Sequence, residues 1–64
     1  MKLTAVLTIK MKKGILPQFI ATIYKQQMEV SNINLIEADG KWDGYNIEII
    51  YASKKDLVRV IEAL

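Results

Sequence analysis

Residues 3–29 read LTAVLTIKMKKGILPQFIATIYKQQME, and this stretch decides the fold because its hydrophobic period changes halfway along. Apolar and polar side chains alternate through residues 3–11, which predicts a strand with one face in the core. Gly14 interrupts that pattern. The apolar positions of residues 15–29 then recur every three or four residues, which predicts an amphipathic helix with Pro17 in its first turn. The helical stripe consists of Leu16, Phe19, Ile20, Ile23, Tyr24 and Met28.

A hairpin is predicted next. Residues 30–38 form its first strand, in which Ile33 and Leu35 fall on one face but Ile36 and Ala38 on the other. This pattern indicates either two partly covered faces or a bulge that shifts the register. Two Asp-Gly pairs, at residues 39–40 and 43–44, flank Lys41-Trp42 and mark the turn. The third strand follows, with Tyr45, Ile47, Ile49 and Tyr51 on its core face.

The chain closes with a second amphipathic helix. Ser53 and Asp56 have the spacing of a capping box ahead of an apolar run. The apolar stripe is predicted to comprise Leu57, Val60, Ile61 and Leu64.

The resulting order, β-α-β-β-α, predicts an α/β (α+β) fold in the form of a ferredoxin-like two-layer sandwich across residues 1–64. Strand three is expected between strands one and two, and each helix must bury its single apolar stripe on the same sheet face. The fourth strand of the full ferredoxin-like pattern, which would lie beside strand one, is missing. Strand one therefore becomes a bare apolar edge, which is a template for pairing.

The composition limits how so small a domain can be stabilised. The 64 residues include no Cys and no His, so neither a disulfide nor a zinc site is expected to support the small core. Self-association, most simply as a homodimer, or docking onto a larger protein remains. A signal peptide and a membrane span are not expected, and the lack of Cys favours a reducing, cytoplasmic compartment.

Catalysis is not expected. The chain lacks the Cys and His of nucleophilic triads. Of the carboxylates only Glu37 and Glu48 lie in apolar runs, and alternation places both on the less buried face, away from the burial that acid–base catalysis by paired carboxylates needs. We therefore predict a protein that is not an enzyme and has no cofactor.

The sequence resembles an ACT domain, a regulatory module that binds amino acids in many metabolic enzymes. The resemblance lies in Lys13-Gly14-Ile15-Leu16 after strand one, in Asn32-Ile33-Asn34-Leu35, and in the closing residues 56–64. It implies a small regulatory module that holds an amino acid or small anion at a dimer interface. The fourth strand of the family is lacking, and Met11, Lys12 and Lys13 stand where the family has polar residues and Pro. A ligand-free protein–protein interaction domain stays open as the alternative.

The candidate ligand-binding residues are Lys12, Lys13, Gly14, Ile15, Asn34 and Trp42. The lysines before the first helix suit a carboxylate or phosphate, or else form a solvated basic loop. Trp42 is either a lid or partner contact, or a side chain folded over its own hairpin. Asn34 is implied by the resemblance and otherwise shapes a turn; it is expected at the opposite end of the sheet, so it could join the site only from a second subunit. A nucleic-acid-binding module is less favoured, because the aromatic residues of strand three, Tyr45 and Tyr51, lie on its core face and not on the open face of the sheet.

Overall fold

Five elements follow one another in the predicted order in the computed structural model, which describes residues 1–62. They are β1 (Leu3–Lys12), α1 (Leu16–Lys25), β2 (Glu29–Ala38), β3 (Trp42–Tyr51) and α2 (Lys54–Glu62). The protein is thus a small α+β fold, as predicted. Neither of the described helices combines the length and the apolar character that crossing a membrane requires.

The described strands form one sheet in the order β1-β3-β2. Strand β3 is antiparallel to both neighbours, so β1 and β2 are parallel and end at the same side of the sheet. The β1–β3 ladder is unbroken from the Leu3–Tyr51 pair to the Lys12–Trp42 pair. Within residues 1–62 no strand lies on the outer side of β1, so the expected bare edge is confirmed.

The core lies on one face of the sheet, where both helices pack. Ile47 and Ile49 of β3 are fully buried, as are Ile23 of α1 and Val60 of α2, so the four share one cluster. The predicted core faces of β1 and β3 are confirmed. The helices contact β2 and β3 more closely than β1. On the helix side of β1, Met11 is therefore buried, Ala5, Leu7 and Ile9 are half-buried, and Leu3 is exposed.

Helix α1 ends at Lys25, four residues before its predicted end. Gln27 adopts a left-handed conformation with φ of 62°, which no helical residue can hold. The Gln27 amide donates to the Tyr24 carbonyl (3.0 Å) and the Met28 amide to the Ile23 carbonyl (3.2 Å). These two bonds form a Schellman motif, which satisfies the last helical carbonyls. Met28 is consequently buried in the turn after the helix, and Tyr24 is exposed, contrary to the predicted stripe.

Strand β2 is irregular, as its sequence indicated. Its register against β3 shifts between Val30 and Asn32 and again between Leu35 and Glu37. Asn34 is the sixth of the ten residues of β2 and lies in mid-strand opposite Asn46, so the expectation that it sits at the opposite end of the sheet is wrong.

The β2–β3 turn is tighter than predicted, since β3 begins at Trp42 rather than Tyr45. The Asp39 carboxylate accepts hydrogen bonds from the amides of Lys41 (2.9 Å) and Trp42 (2.7 Å), which closes the turn. The second Asp-Gly pair therefore lies inside β3. There Gly44 stands between Lys10 of β1 and Glu37 of β2, and a Cβ on Gly44 would approach the Glu37 Cβ to 3.3 Å.

Helix α2 begins directly after Ser53, as predicted, but not through a capping box. The Ser53 carbonyl accepts from the amides of Asp56 (3.2 Å) and Leu57 (3.4 Å), and no side-chain hydrogen bond of Ser53 accompanies them within residues 1–62. Ile61 is exposed, unlike the expected stripe, and Leu64 lies outside the described residues.

Candidate functional site

Three elements meet at the end of the sheet where β1 stops. Lys12 is the cross-strand partner of Trp42, and the Lys13 amide donates to the Lys41 carbonyl (3.1 Å). Gly14 has φ of 87°, a left-handed conformation that lets the chain turn from β1 into α1. The turn is closed by the Ile15 amide, which donates to the Lys12 carbonyl (3.3 Å). The sequence placed these segments together correctly.

A cleft of about 380 Å³ opens between the end of β1, helix α1 and Trp42. Its volume falls in the range of small-ligand sites. The lining residues are Lys10, Met11, Lys12, Ile15, Gln18, Phe19, Thr22 and Trp42. Met11 and Phe19 are buried core residues that form its floor, whereas Ile15 and Trp42 are partly exposed walls. We refer to this site as the Trp42 cleft.

The lysines around the Trp42 cleft differ in how they are paired. The Lys10 Nζ lies 3.7 Å from Glu37, and the Lys13 Nζ lies 2.6 Å from Asp43. The Lys12 Nζ instead lies over the Trp42 indole, 5.9 Å from the ring centroid, which is a cation–π distance. Among residues 1–62, no carboxylate is within 4.0 Å of the Lys12 ammonium.

Lys13 is engaged by Asp43. The hydrogen bond to Asp43 raises the pKa of Lys13 and keeps it charged, although much of that charge is neutralised by its partner. The same carboxylate accepts a hydrogen bond from the Tyr45 hydroxyl at 3.3 Å. Burial, together with the charge of Asp43, raises the pKa of Tyr45, so its phenol stays protonated and keeps donating. Through its contact with Asp43, Lys13 therefore links the β1–α1 loop to β3.

The structure brings together five of the six predicted site residues: Lys12, Lys13, Gly14, Ile15 and Trp42. A shallower groove lined by Lys12, Lys13, Lys41 and Trp42 adjoins the cleft. Asn34 is not part of either, since it is exposed on the helix-free face of β2. Trp42, expected at the hairpin tip, is the first residue of β3 and 39% exposed.

Five residues that line the Trp42 cleft were not among the predicted site residues: Lys10, Met11, Gln18, Phe19 and Thr22. Met11 and Phe19 follow the core pattern of their elements, so nothing in the sequence separates them from ordinary core positions. Gln18 and Thr22 are four residues apart, and this i, i+4 spacing on a helix that starts beside the end of β1 was a usable signal.

Comparison with family models, with curated proteins and with solved structures found no match to this chain. The ACT resemblance therefore stays a prediction.

Proposed function

We propose that the protein is a small regulatory and oligomerisation module of the ferredoxin-like, ACT-like kind, and that it associates with a second copy of itself through the edge of β1. The observation that carries the proposal is the ten-residue β1 edge, whose helix-side face is only half covered. An unpaired edge with apolar side chains is a template for another strand.

The size of the core supports the same conclusion. Seven described residues form the buried hydrophobic core, and a chain of this length buries only about 60% of its unfolded surface. No disulfide can add stability, because the sequence contains no Cys. A second copy would extend the sheet and cover apolar surface that the helices leave open, and oligomerisation is a common source of stability for such small domains.

Antiparallel self-pairing of β1 fits its side-chain pattern. A two-fold axis at Leu7 would set Leu3 against the partner's Met11 and Ala5 against the partner's Ile9. Every helix-side apolar residue would then meet another on the same face, because side chains alternate with a period of two. The product is a six-stranded sheet with the two β1 strands at its centre.

Charge does not oppose this pairing in the middle of the strand. Residues 3–9 carry no charged side chain. Charged edge residues normally discourage pairing, but the lysines of β1 and its flank lie near its two ends. Lys2 and Lys10 are also paired within their own chain, to Glu29 at 3.9 Å and to Glu37 at 3.7 Å.

Concentration-dependent hydrogen exchange tests which edge is used. In a monomer the outward-facing amides of β1 and β2 both exchange rapidly. Dimerisation through β1 should slow the β1 amides as protein concentration rises, while the outward-facing β2 amides serve as an internal control and remain unchanged. Protection that appears in β2 instead, or in neither strand, contradicts the proposal.

A second role, in binding a small anion or an amino acid, is favoured by the Trp42 cleft. It places a lysine without a carboxylate partner beside an apolar cleft. Asn34 of a second copy could not complete this site in the proposed dimer. The partner's β1 and β3 would lie between this chain's β1 and the partner's β2, which carries Asn34. Successive strands are about 4.8 Å apart.

The alternatives are a ligand-free protein–protein interaction domain and, less favoured, a nucleic-acid-binding module. Between residues 44 and 50, the helix-free positions of β3 are Gly44, Asn46, Glu48 and Ile50. These residues offer no aromatic surface on which bases could stack. An absence of ligand binding with intact self-association would favour the interaction domain.

A further inference from the structure

The chemistry of the Trp42 cleft distinguishes between classes of anion. We infer that the cleft binds an arylalkanoate, a carboxylate that carries an aromatic ring on its alkyl chain and no α-ammonium group. This inference rests on the anion site of the proposed function and names its ligand class.

The floor and walls select for an apolar body. Met11 and Phe19 form the floor, and Ile15 and the Trp42 indole stand above it. A bare inorganic anion would leave this surface in contact with water. An aromatic ring would bury it and could pack against the indole in an offset or edge-to-face geometry.

The rim selects for a single negative charge. Lys12 has no carboxylate partner within residues 1–62, whereas Lys10 is engaged by Glu37. The Gln18 side chain makes no hydrogen bond within the described residues and can donate its amide to a carboxylate. Thr22 is less available, because its hydroxyl donates to the Gln18 carbonyl at 3.0 Å.

The same rim disfavours an amino acid. The lining residues include two lysines and no Asp or Glu, so no carboxylate of the cleft can pair with an α-ammonium group. Lys10 and Lys12 would repel that group. A carboxylate without it keeps the attraction to Lys12 and avoids the repulsion, so the des-amino ligand should bind more tightly than the amino acid of the same side chain.

Four probes separate these contributions: 3-phenylpropionate, phenylalanine, 3-phenylpropanol and acetate. Trp42 is the sole tryptophan of the chain, so its fluorescence reports on the cleft directly. We expect saturable binding of 3-phenylpropionate. Phenylalanine and the neutral alcohol should each bind at least about fivefold more weakly, the scale of one ion pair at a partly exposed site. Acetate, which lacks the ring, should not saturate the signal.

Two variants test whether the ligand binds in the Trp42 cleft. Lys12→Gln should weaken 3-phenylpropionate about fivefold, whereas the matched control Lys55→Gln, on α2 after the opposite end of β3, should leave affinity unchanged. Methyl NMR shifts at Met11, Ile15 and Thr22 give a second readout that does not depend on the indole. Both substituted lysines are exposed, so neither change removes a core contact.

The outcomes separate this inference from the broader proposal. Phenylalanine or acetate binding as tightly as 3-phenylpropionate would overturn the ligand class and leave the anion site standing. Lack of binding by all four probes would overturn both, while self-association remains a separate measurement. Equal losses in Lys12→Gln and Lys55→Gln would show that the anion is attracted by overall charge and not by the cleft.

Discussion

Lys12 lies directly across the β1–β3 ladder from Trp42, and its ammonium stands 5.9 Å from the centre of the indole ring. This pair joins the end of one strand to the start of another and holds an aromatic surface at the mouth of the Trp42 cleft. It also leaves a cation without a carboxylate partner among the described residues. The pair therefore belongs both to the fold and to the proposed ligand site.

The β1–α1 connection depends on the backbone of Gly14. A Cβ at this position would meet no atom within 4 Å, so a substitution is strained only through its φ of 87°. Gly14→Ala should lower the free energy of unfolding by about 1–2 kcal/mol. Gly40→Ala is the matched control, since that position is also open but lacks a positive φ. Urea denaturation checks both, and equal effects at the two glycines would contradict the role assigned to Gly14.

The end of α1 offers a stabilising change. Gln27 holds the left-handed position of the Schellman motif, where glycine has no steric penalty. Gln27→Gly should raise the free energy of unfolding by about 0.5–1 kcal/mol, the relief of strain less the entropy that glycine adds to the unfolded chain. Gln26→Gly, at a position with φ of −88°, should instead destabilise the protein. Thermal melts of both variants measure the difference, and destabilisation by Gln27→Gly would show that the side chain matters more than the strain.

Asp39 should make the β2–β3 turn sensitive to acid. Hydrogen bonds from the amides of Lys41 and Trp42 lower the pKa of Asp39 below its ordinary value of 3.8. The Asp39 carboxyl therefore binds its proton more tightly in the unfolded chain than in the folded one. The stabilising contribution of the Asp39 carboxylate is complete above the ordinary pKa and disappears as the pH falls through the pKa of the folded state. The stability advantage of the wild type over Asp39→Asn should shrink between pH of about 5 and about 2. An advantage that is constant across that range would contradict this account.

Asn34 serves to separate two dimer geometries. In the β1-paired dimer it lies far from either Trp42 cleft, so Asn34→Ala should change neither the dimer constant nor the affinity for 3-phenylpropionate. Its side chain is exposed, and its replacement should not disturb the core. Loss of ligand affinity in this variant, measured by titration of Trp42 fluorescence, would support the shared site that the ACT resemblance implies and exclude β1 pairing.

Regular hydrophobic periodicity was sufficient to predict the element order, and the split βαβ pattern then placed strand three between strands one and two, as the sheet order shows. Element ends were harder to predict. Gln27 ends α1 although glutamine is a good helix former, and its left-handed conformation accompanies the burial of Met28 in the turn that follows, a contact that helical periodicity does not reveal.

The candidate site shows the same division. The Lys12-Lys13-Gly14 loop is visible in the sequence because glycine follows a strand and precedes a helix. The charge balance of this loop could not be predicted from the sequence. The contact between Lys13 and Asp43 depends on a hairpin turn after which β3 begins three residues earlier than the Asp-Gly pairs suggested.

The central claim is self-association through β1, and a pair of charge substitutions tests its location. Val6 lies in mid-β1 and is 60% exposed, so Val6→Lys leaves the monomer core intact while placing a charge in the uncharged part of the edge. Val58→Lys on α2 is the matched control, because Val58 is 48% exposed and gains the same charge. Circular dichroism melts establish that both variants fold.

Sedimentation equilibrium at micromolar concentrations is the most direct measurement. We predict that the wild type and Val58→Lys sediment at twice the chain mass of 7.3 kDa, and that Val6→Lys shifts at least tenfold in concentration toward the monomer (about 1.4 kcal/mol). A wild-type chain that remains a monomer at every concentration while melting cooperatively would contradict the claim, as would a dimer that Val6→Lys leaves unchanged.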